Sequence, residues 1–151
     1  MAEKLIPLED AQSIVLSHVA PTNLVEIPVW QAAGFPLAED AVADIDISPF
    51  ANSAMDGYAV RSADLAQASG ETPVTLDVIG HEAAGHVFEG ALGPGETVRI
   101  MTGAPVPEGA DAVVKYEIVE VLDGDGNEGS HVRFSAPAKV GENVRSAAEE
   151  A

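Results

Sequence analysis

The run Asn52-Ser53-Ala54-Met55-Asp56-Gly57-Tyr58-Ala59-Val60 decides how this chain reads. It sets an acidic side chain between a methionine and a glycine, in a stretch too short and polar to be core. A second run, Arg99-Ile100-Met101-Thr102-Gly103-Ala104-Pro105, follows the same plan with a hydroxyl before a glycine. Glycine admits positive φ and lets backbone N–H groups come close to a ligand. A carboxylate and a threonine carried on such turns suit a metal ion and an anionic group.

Working outward, Pro49-Phe50-Ala51-Asn52 leads into the first run, and Ala84-Gly85 and Pro94-Gly95-Glu96 lie between the two. Pro107, Gly109, Ala110, Asp111, Ala112, Val113, Val114 and Glu117 follow the second, and Gly141-Glu142-Asn143-Val144-Arg145 comes near the end. In order and spacing these segments resemble the molybdopterin molybdenumtransferase family, which includes the enzymatic domain of gephyrin. The resemblance covers nearly the whole chain and departs from the family pattern in three places. Ala51 stands where the family has Asp or Asn, and Ser146-Ala147-Ala148-Glu149-Glu150 lacks the glycine and aspartate of R-x-x-G-E-D. Family members are also much longer, with a molybdopterin-binding α/β domain and a small C-terminal β-domain.

The resemblance implies an α+β, β-rich fold: an elongated helical and strand first domain with an inserted β-barrel-like second domain. The boundaries expected are 1–48 for the first domain, 49–139 for the inserted domain and 140–151 for a return segment, with 147–151 frayed. It implies that Asp56 and Thr102 are catalytic, with Asp56 also holding Mg²⁺. Asn52, Ser53, Gly57, Gly103 and Ala104 are the substrate-binding positions it suggests, the amides of Gly103 and Ala104 being suited to a phosphate or molybdate oxygen. Implied partners are adenylylated molybdopterin and molybdate, and a homodimer in which the partner subunit supplies the molybdopterin-binding wall. Without the later domains the chain is expected not to turn over. A noncatalytic dimerisation or assembly module is the alternative, and a small acidic β-domain whose partner is unknown is the blandest reading.

Taken alone, both motif residues have ordinary explanations. An aspartate before glycine commonly bonds its own turn, and a strand-end threonine commonly caps a neighbouring amide. Asn52, Ser53 and Tyr58 equally suit shaping of the loop. Arg61 and Arg99 stand out because only seven residues are Lys or Arg against 25 Asp and Glu. Each suits either an anion or a surface ion pair.

The net charge of −18 repels phosphate backbones and anionic lipid, so neither nucleic acid nor a membrane is expected as partner. It also demands a local cation wherever an anionic substrate binds. The absence of cysteine removes disulfides and thiolate metal sites. No stretch has the roughly 20 apolar residues of a membrane helix, and the N-terminus lacks signal-peptide character, so a soluble cytoplasmic protein is expected.

Periodicity predicts an amphipathic helix over 8–19, stopped by Pro21. It predicts a short strand at 24–29, a helical turn at 30–35 ending on Gly34, and extended chain at 41–47. Ser62 is read as the N-cap of a short helix. Strands are expected at 74–78 and 97–101, and a long one over 112–122 returning through an acidic loop into 131–135. His81 and His86 lie five apart, which misses the four-residue spacing of a zinc helix and puts them on opposite faces of a strand. Asp123-Gly124-Asp125-Gly126-Asn127 imitates a calcium loop. Glu128 and Phe134, however, occupy its required glycine and glutamate positions, leaving a hairpin turn with at most incidental calcium binding.

Overall fold

A computed structural model describes residues 5–83 and 85–149. Ala84 of the Ala-Gly motif, and Glu150 and Ala151 of the expected frayed end, lie outside the described residues. The chain divides into two compact units, Met1–Val42 and Ala43–Ala151.

In the first unit, α1 spans Leu8–Ser17. It opens on Pro7, whose carbonyl accepts the Ala11 amide at 3.1 Å, and Glu9 and Asp10 sit at the positive end of the dipole. It closes at His18, before Val19, where the His18 amide turns back to the Val15 carbonyl. None of its residues is buried. No strand forms at 24–29: Pro28 has no N–H to give a ladder, and no described segment pairs there. A 3-10 turn, Val29–Gln31, follows, and Gly34 takes φ 89° at the expected stop. Residues 41–47 form no strand either, consistent with their alanine and aspartate content.

The second unit is β-rich. Its strands are β1 (Asn52–Ser53), β2 (Gly57–Val60), β3 (Val74–Glu82), β4 (Glu96–Ile100), β5 (Ala112–Lys115), β6 (Glu120–Val121), β7 (His131–Phe134) and β8 (Val144–Arg145). Six of them form a curled half-barrel in the order β5-β2-β4-β3-β7-β6. The β5 and β6 edges are not paired with each other, so the sheet does not close as the expected barrel would. β3 and β4 run parallel, a crossover that alternation alone did not indicate. β1 and β8 make a separate antiparallel pair, which brings the 140–149 segment onto the motif loop.

Alternation along the strands gives the sheet two apolar faces. Tyr58, Val60, Leu76, Val132 and Phe134 pack on one face with Leu65 from the 3-10 turn Ser62–Leu65. Ala59, Val98, Ile100, Ala104 and Val113 pack on the other. Each large side chain removed from water this way contributes roughly 1.5–3 kcal/mol before entropy is charged. Ser62 does not cap its own turn. Its amide and hydroxyl donate to the two carboxylate oxygens of Asp111, at 2.6 and 2.7 Å, so a distant aspartate satisfies that helix start.

The expected strand 112–122 is broken. β5 stops at Lys115, a 3-10 turn spans Tyr116–Ile118, and β6 resumes at Glu120. The β6–β7 hairpin forms, with Glu120 opposite Arg133. In its loop the Asp123 carboxylate accepts from His131, and that of Asp125 from Asn127.

Candidate functional site

Ser53 builds the turn that carries Asp56. Its hydroxyl donates to the Met55 carbonyl at 2.5 Å and accepts the Met55 amide at 3.2 Å. The turn is stitched to the second motif loop at both ends. The Gly103 amide donates to the Ser53 carbonyl at 2.8 Å, and the Ser53 amide to the Ala104 carbonyl at 3.0 Å. The Ala54 amide donates to Asn143 in the returning segment at 2.9 Å. At Gly57 the sheet leaves no room for a side chain, since a Cβ there would lie 2.0 Å from the Val114 carbonyl oxygen. That close approach is what the Asp-Gly pair permits.

The two motif side chains meet. The Thr102 amide and hydroxyl both donate to Oδ1 of Asp56, at 2.8 and 2.7 Å. The Thr102 backbone bond, the hydroxyl bond and then the nearby Arg99 charge hold the Asp56 carboxyl below its ordinary 3.8, against a smaller opposing effect of burial. Both residues are exposed, and among the described residues no hydrogen bond reaches Oδ2 of Asp56. The pair thus presents oxygen acceptors to solvent.

The remaining predicted positions divide. Gly103 is exposed, with φ 82°. Asn52, Ser53, Gly57 and Ala104 are buried and build the loops, so their side chains do not face solvent. The Asn52 Oδ1 has no hydrogen-bond partner among the described residues. The amides proposed to hold an oxyanion are already spent: Gly103 donates to Ser53, and Ala104 to the Met101 carbonyl at 3.0 Å. With the Thr102 amide on Asp56, three successive N–H groups turn inward, so this loop is not an anion nest. Loop closure over short distances consumed them, which the sequence pattern does not reveal.

Of two further neighbours, Tyr116 has no role in the motif reading, and Arg99 is open there between an anion and an ion pair. The Tyr116 amide donates to the Asp56 carbonyl at 3.1 Å, one pair beyond Gly57 and Lys115 in the β2–β5 register. Arg99 lies with its guanidinium 4.5 Å from the Tyr116 ring centroid. The scarcity of cations pointed to Arg99, whereas nothing in the pattern pointed to Tyr116. Arg61 takes the bland course, its Nε lying 4.0 Å from Asp64. His81 and His86 also differ from expectation. An antiparallel bridge between Ala83 and His86, with Gly85 at φ 78°, folds the chain back and stacks the two rings at 4.3 Å.

Hard oxygen donors suit Mg²⁺, which commonly takes one or two carboxylates and keeps several waters. Asp56 offers one such carboxylate with an outward oxygen. Among the described residues no group of three or more acidic, His or Cys side chains is placed to hold an ion. A one-carboxylate Mg²⁺ contact therefore fits; a cage made of protein groups alone does not.

The sheet brings a carboxylate and a threonine together at neighbouring strand ends, and comparison with known proteins gives the family that carries this arrangement. The family model described as "MoeA N-terminal region (domain I and II)" matches residues 6–151, and the chain belongs to that family. It is 45% identical over 115 residues to a Bacillus subtilis protein named molybdopterin molybdenumtransferase, covering 76% of this chain and 26% of that one. It is 38% identical over 147 residues to the Haemophilus influenzae protein of the same name, covering 97% of this chain and 34% of that one. A solved molybdopterin biosynthesis moeA protein from Pyrococcus horikoshii OT3 matches with TM-score 0.78 and 32% identity, over 97% of this chain and 38% of that chain. This chain thus spans between about a quarter and two-fifths of the length of these relatives. Among the described residues no helix is long and apolar enough to cross a membrane.

Proposed function

We propose that this chain is the N-terminal portion of a molybdopterin molybdenumtransferase, and that its Asp56–Thr102 pair forms one wall of the site. There molybdate would be inserted into adenylylated molybdopterin to give molybdenum cofactor and AMP. The observation that carries this reading is the double donation from Thr102 to one Asp56 oxygen, which aims the other oxygen outward. Asp56, with the Thr102 hydroxyl beside it, would hold Mg²⁺. When bound, that ion would supply positive charge to the phosphate oxygens of the adenylate. The chain's own part is to keep the carboxylate ionised and oriented. A cation is needed here because the chain as a whole is strongly acidic.

The matched relatives carry additional length, and the molybdopterin-binding wall is assigned to it. The test is to combine this chain with a separately expressed C-terminal portion of a relative and measure AMP release from adenylylated molybdopterin with molybdate and Mg²⁺. Release is expected from the mixture and from neither part alone. A folded, associated mixture with no AMP above background sinks the proposal, and an Asp56→Asn mixture as active as the parent sinks the role given to that residue.

A second reading, a noncatalytic assembly module that dimerises, is favoured by α1, where Leu8, Val15 and Leu16 are each more than 60% exposed. Unpartnered apolar side chains on one helix suit an interface. Light scattering after gel filtration checks it, and a monomer at every concentration removes it.

A further inference from the structure

Arg61 lies against Asp64 and Arg133 against Glu120 as surface ion pairs. Arg99 is held differently. Its guanidinium lies 4.5 Å from the Tyr116 ring centroid and 5.9 Å from that of Tyr58. The two rings are themselves stacked, 6.2 Å apart at 24°. Tyr58 is fully buried, and its hydroxyl donates to the Gly126 carbonyl at 2.9 Å, so one side of this stack is anchored in the core. Arginine's flat, weakly hydrated cation binds such faces well, at about 0.5–2 kcal/mol per contact.

Both groups that grip Asp56 connect to Arg99. Thr102, which holds the carboxylate, stands three residues beyond Arg99 on the chain leaving β4. Tyr116, which holds the Asp56 carbonyl, lies under the Arg99 guanidinium. The turn Tyr116–Ile118 is short and lies near the sheet edge, and Tyr116 is 40% exposed. Such a turn has few contacts of its own and opens readily unless something pins it.

We propose that Arg99 is a positioning residue for Asp56: through the Tyr116 ring it keeps the 116–118 turn closed on the Asp56 carbonyl, and so keeps the carboxylate aimed at Thr102. This rests on the reading of Asp56 as the functional carboxylate. The other groups beside this cluster are Asp125, whose carboxyl feels Arg99, His81 across from Arg99 on β3, and Lys115 across from Gly57.

The test uses two nuclear magnetic resonance readouts on the whole chain. One is hydrogen exchange at the residue 116 amide, which reports closure on Asp56. The other is hydrogen exchange at the Thr102 amide, which reports its bond to the Asp56 carboxylate. Arg99→Gln and Tyr116→Leu are both expected to speed exchange at residue 116 by roughly tenfold and to speed it at Thr102 as well. Tyr116→Phe is expected to behave as the parent. Arg99→Lys, which keeps the charge without the flat stack, is expected to speed exchange, and it decides the matter if Arg99→Gln does not fold. Unchanged β3 and β7 amide shifts mark a folded variant.

Parent-like exchange in folded Tyr116→Leu would overturn the proposal. So would parent-like exchange at residue 116 in folded Arg99→Gln or Arg99→Lys. A Mg²⁺ titration of the parent separates the two ideas: no Mg²⁺ response at Asp56 counts against the proposed function and leaves the Arg99 result standing.

Discussion

Thr102 gives both its amide and its hydroxyl to a single oxygen of Asp56, at 2.8 and 2.7 Å. Removing only the hydroxyl, as in Thr102→Val, leaves the amide bond and takes away one of the interactions that keep the carboxyl acidic. The Asp56 midpoint is then expected to rise toward 3.8, while global stability falls by no more than about 1 kcal/mol because the pair is exposed. Thr102→Ser should retain the parent midpoint. The sign of the pH dependence follows from the lowered carboxyl: the pair stabilises the fold above 3.8, and that contribution is lost as pH falls through the still lower folded value. Titration of the residue 102 amide shift checks both statements.

Two glycines of the motif loops should respond differently to alanine. At Gly57 a methyl would meet the Val114 carbonyl oxygen at 2.0 Å, which is backbone and cannot swing aside. Gly57→Ala is therefore expected to separate β2 from β5 and cost more than about 3 kcal/mol. Nothing lies within 4 Å of a methyl at Gly103, but its φ is 82°. The cost there is only that of the left-handed backbone, about 1–2 kcal/mol. Urea denaturation of the two variants gives the comparison, and equal losses would contradict it.

The motif loops were legible because glycine positions and polar side chains at turns have few structural meanings. The pairing of Asp56 with Thr102 could be expected from ancestry but not from pattern. What stayed hidden was the destination of backbone groups. The valine-rich run at 112–122 reads as one strand, yet the turn Tyr116–Ile118, closed by the Val119 amide on the Tyr116 carbonyl at 3.4 Å, interrupts it. The Gly103 and Ala104 amides read as an oxyanion cradle, yet both are consumed by the loops that hold them. His81 and His86 read as divergent until the Ala83–His86 bridge folds the chain back between them. In each case a nonlocal or turn-level hydrogen bond overrode a local period.

His131 is expected to give the hairpin a pH dependence of opposite sign. Its Nδ1 lies 2.8 Å from Asp123 and its Nε2 3.3 Å from Asp77, so both contacts are made fully only when both nitrogens carry protons. The hydrogen bond that His131 donates to Asp123 and the charge of that carboxylate, with Asp77 adding, raise the imidazole above 6.5. The contribution is therefore complete below 6.5 and disappears as pH rises through the raised folded value. His131→Gln should flatten hairpin stability across that window, read as hydrogen exchange in β6 and β7. A parent protein whose hairpin exchange, corrected for intrinsic rate, does not change with pH there would contradict the assignment.

Ala148 carries a strain that a single substitution should relieve. It stands where the family pattern has glycine, and it takes φ 63°, a region that costs an L-residue about 1–2 kcal/mol. The surroundings hold it there. Its amide donates to the Ser48 carbonyl at 2.9 Å, and the Glu149 carboxylate accepts the Ser146 amide at 2.6 Å, which closes the turn around it. Ala148→Gly removes the Cβ penalty but loosens the unfolded chain, which returns about 0.4–1 kcal/mol. The net expectation is a gain of roughly 0.5–1 kcal/mol in urea denaturation with unchanged m-value. Ala147→Gly is the control, because Ala147 is not in the positive-φ region, and it is expected to lose stability by about 0.5–1 kcal/mol. If both glycines destabilise alike, the turn at Ala148 does not hold the left-handed conformation in solution, and the segment closing onto Ser48 is looser than its hydrogen bonds indicate.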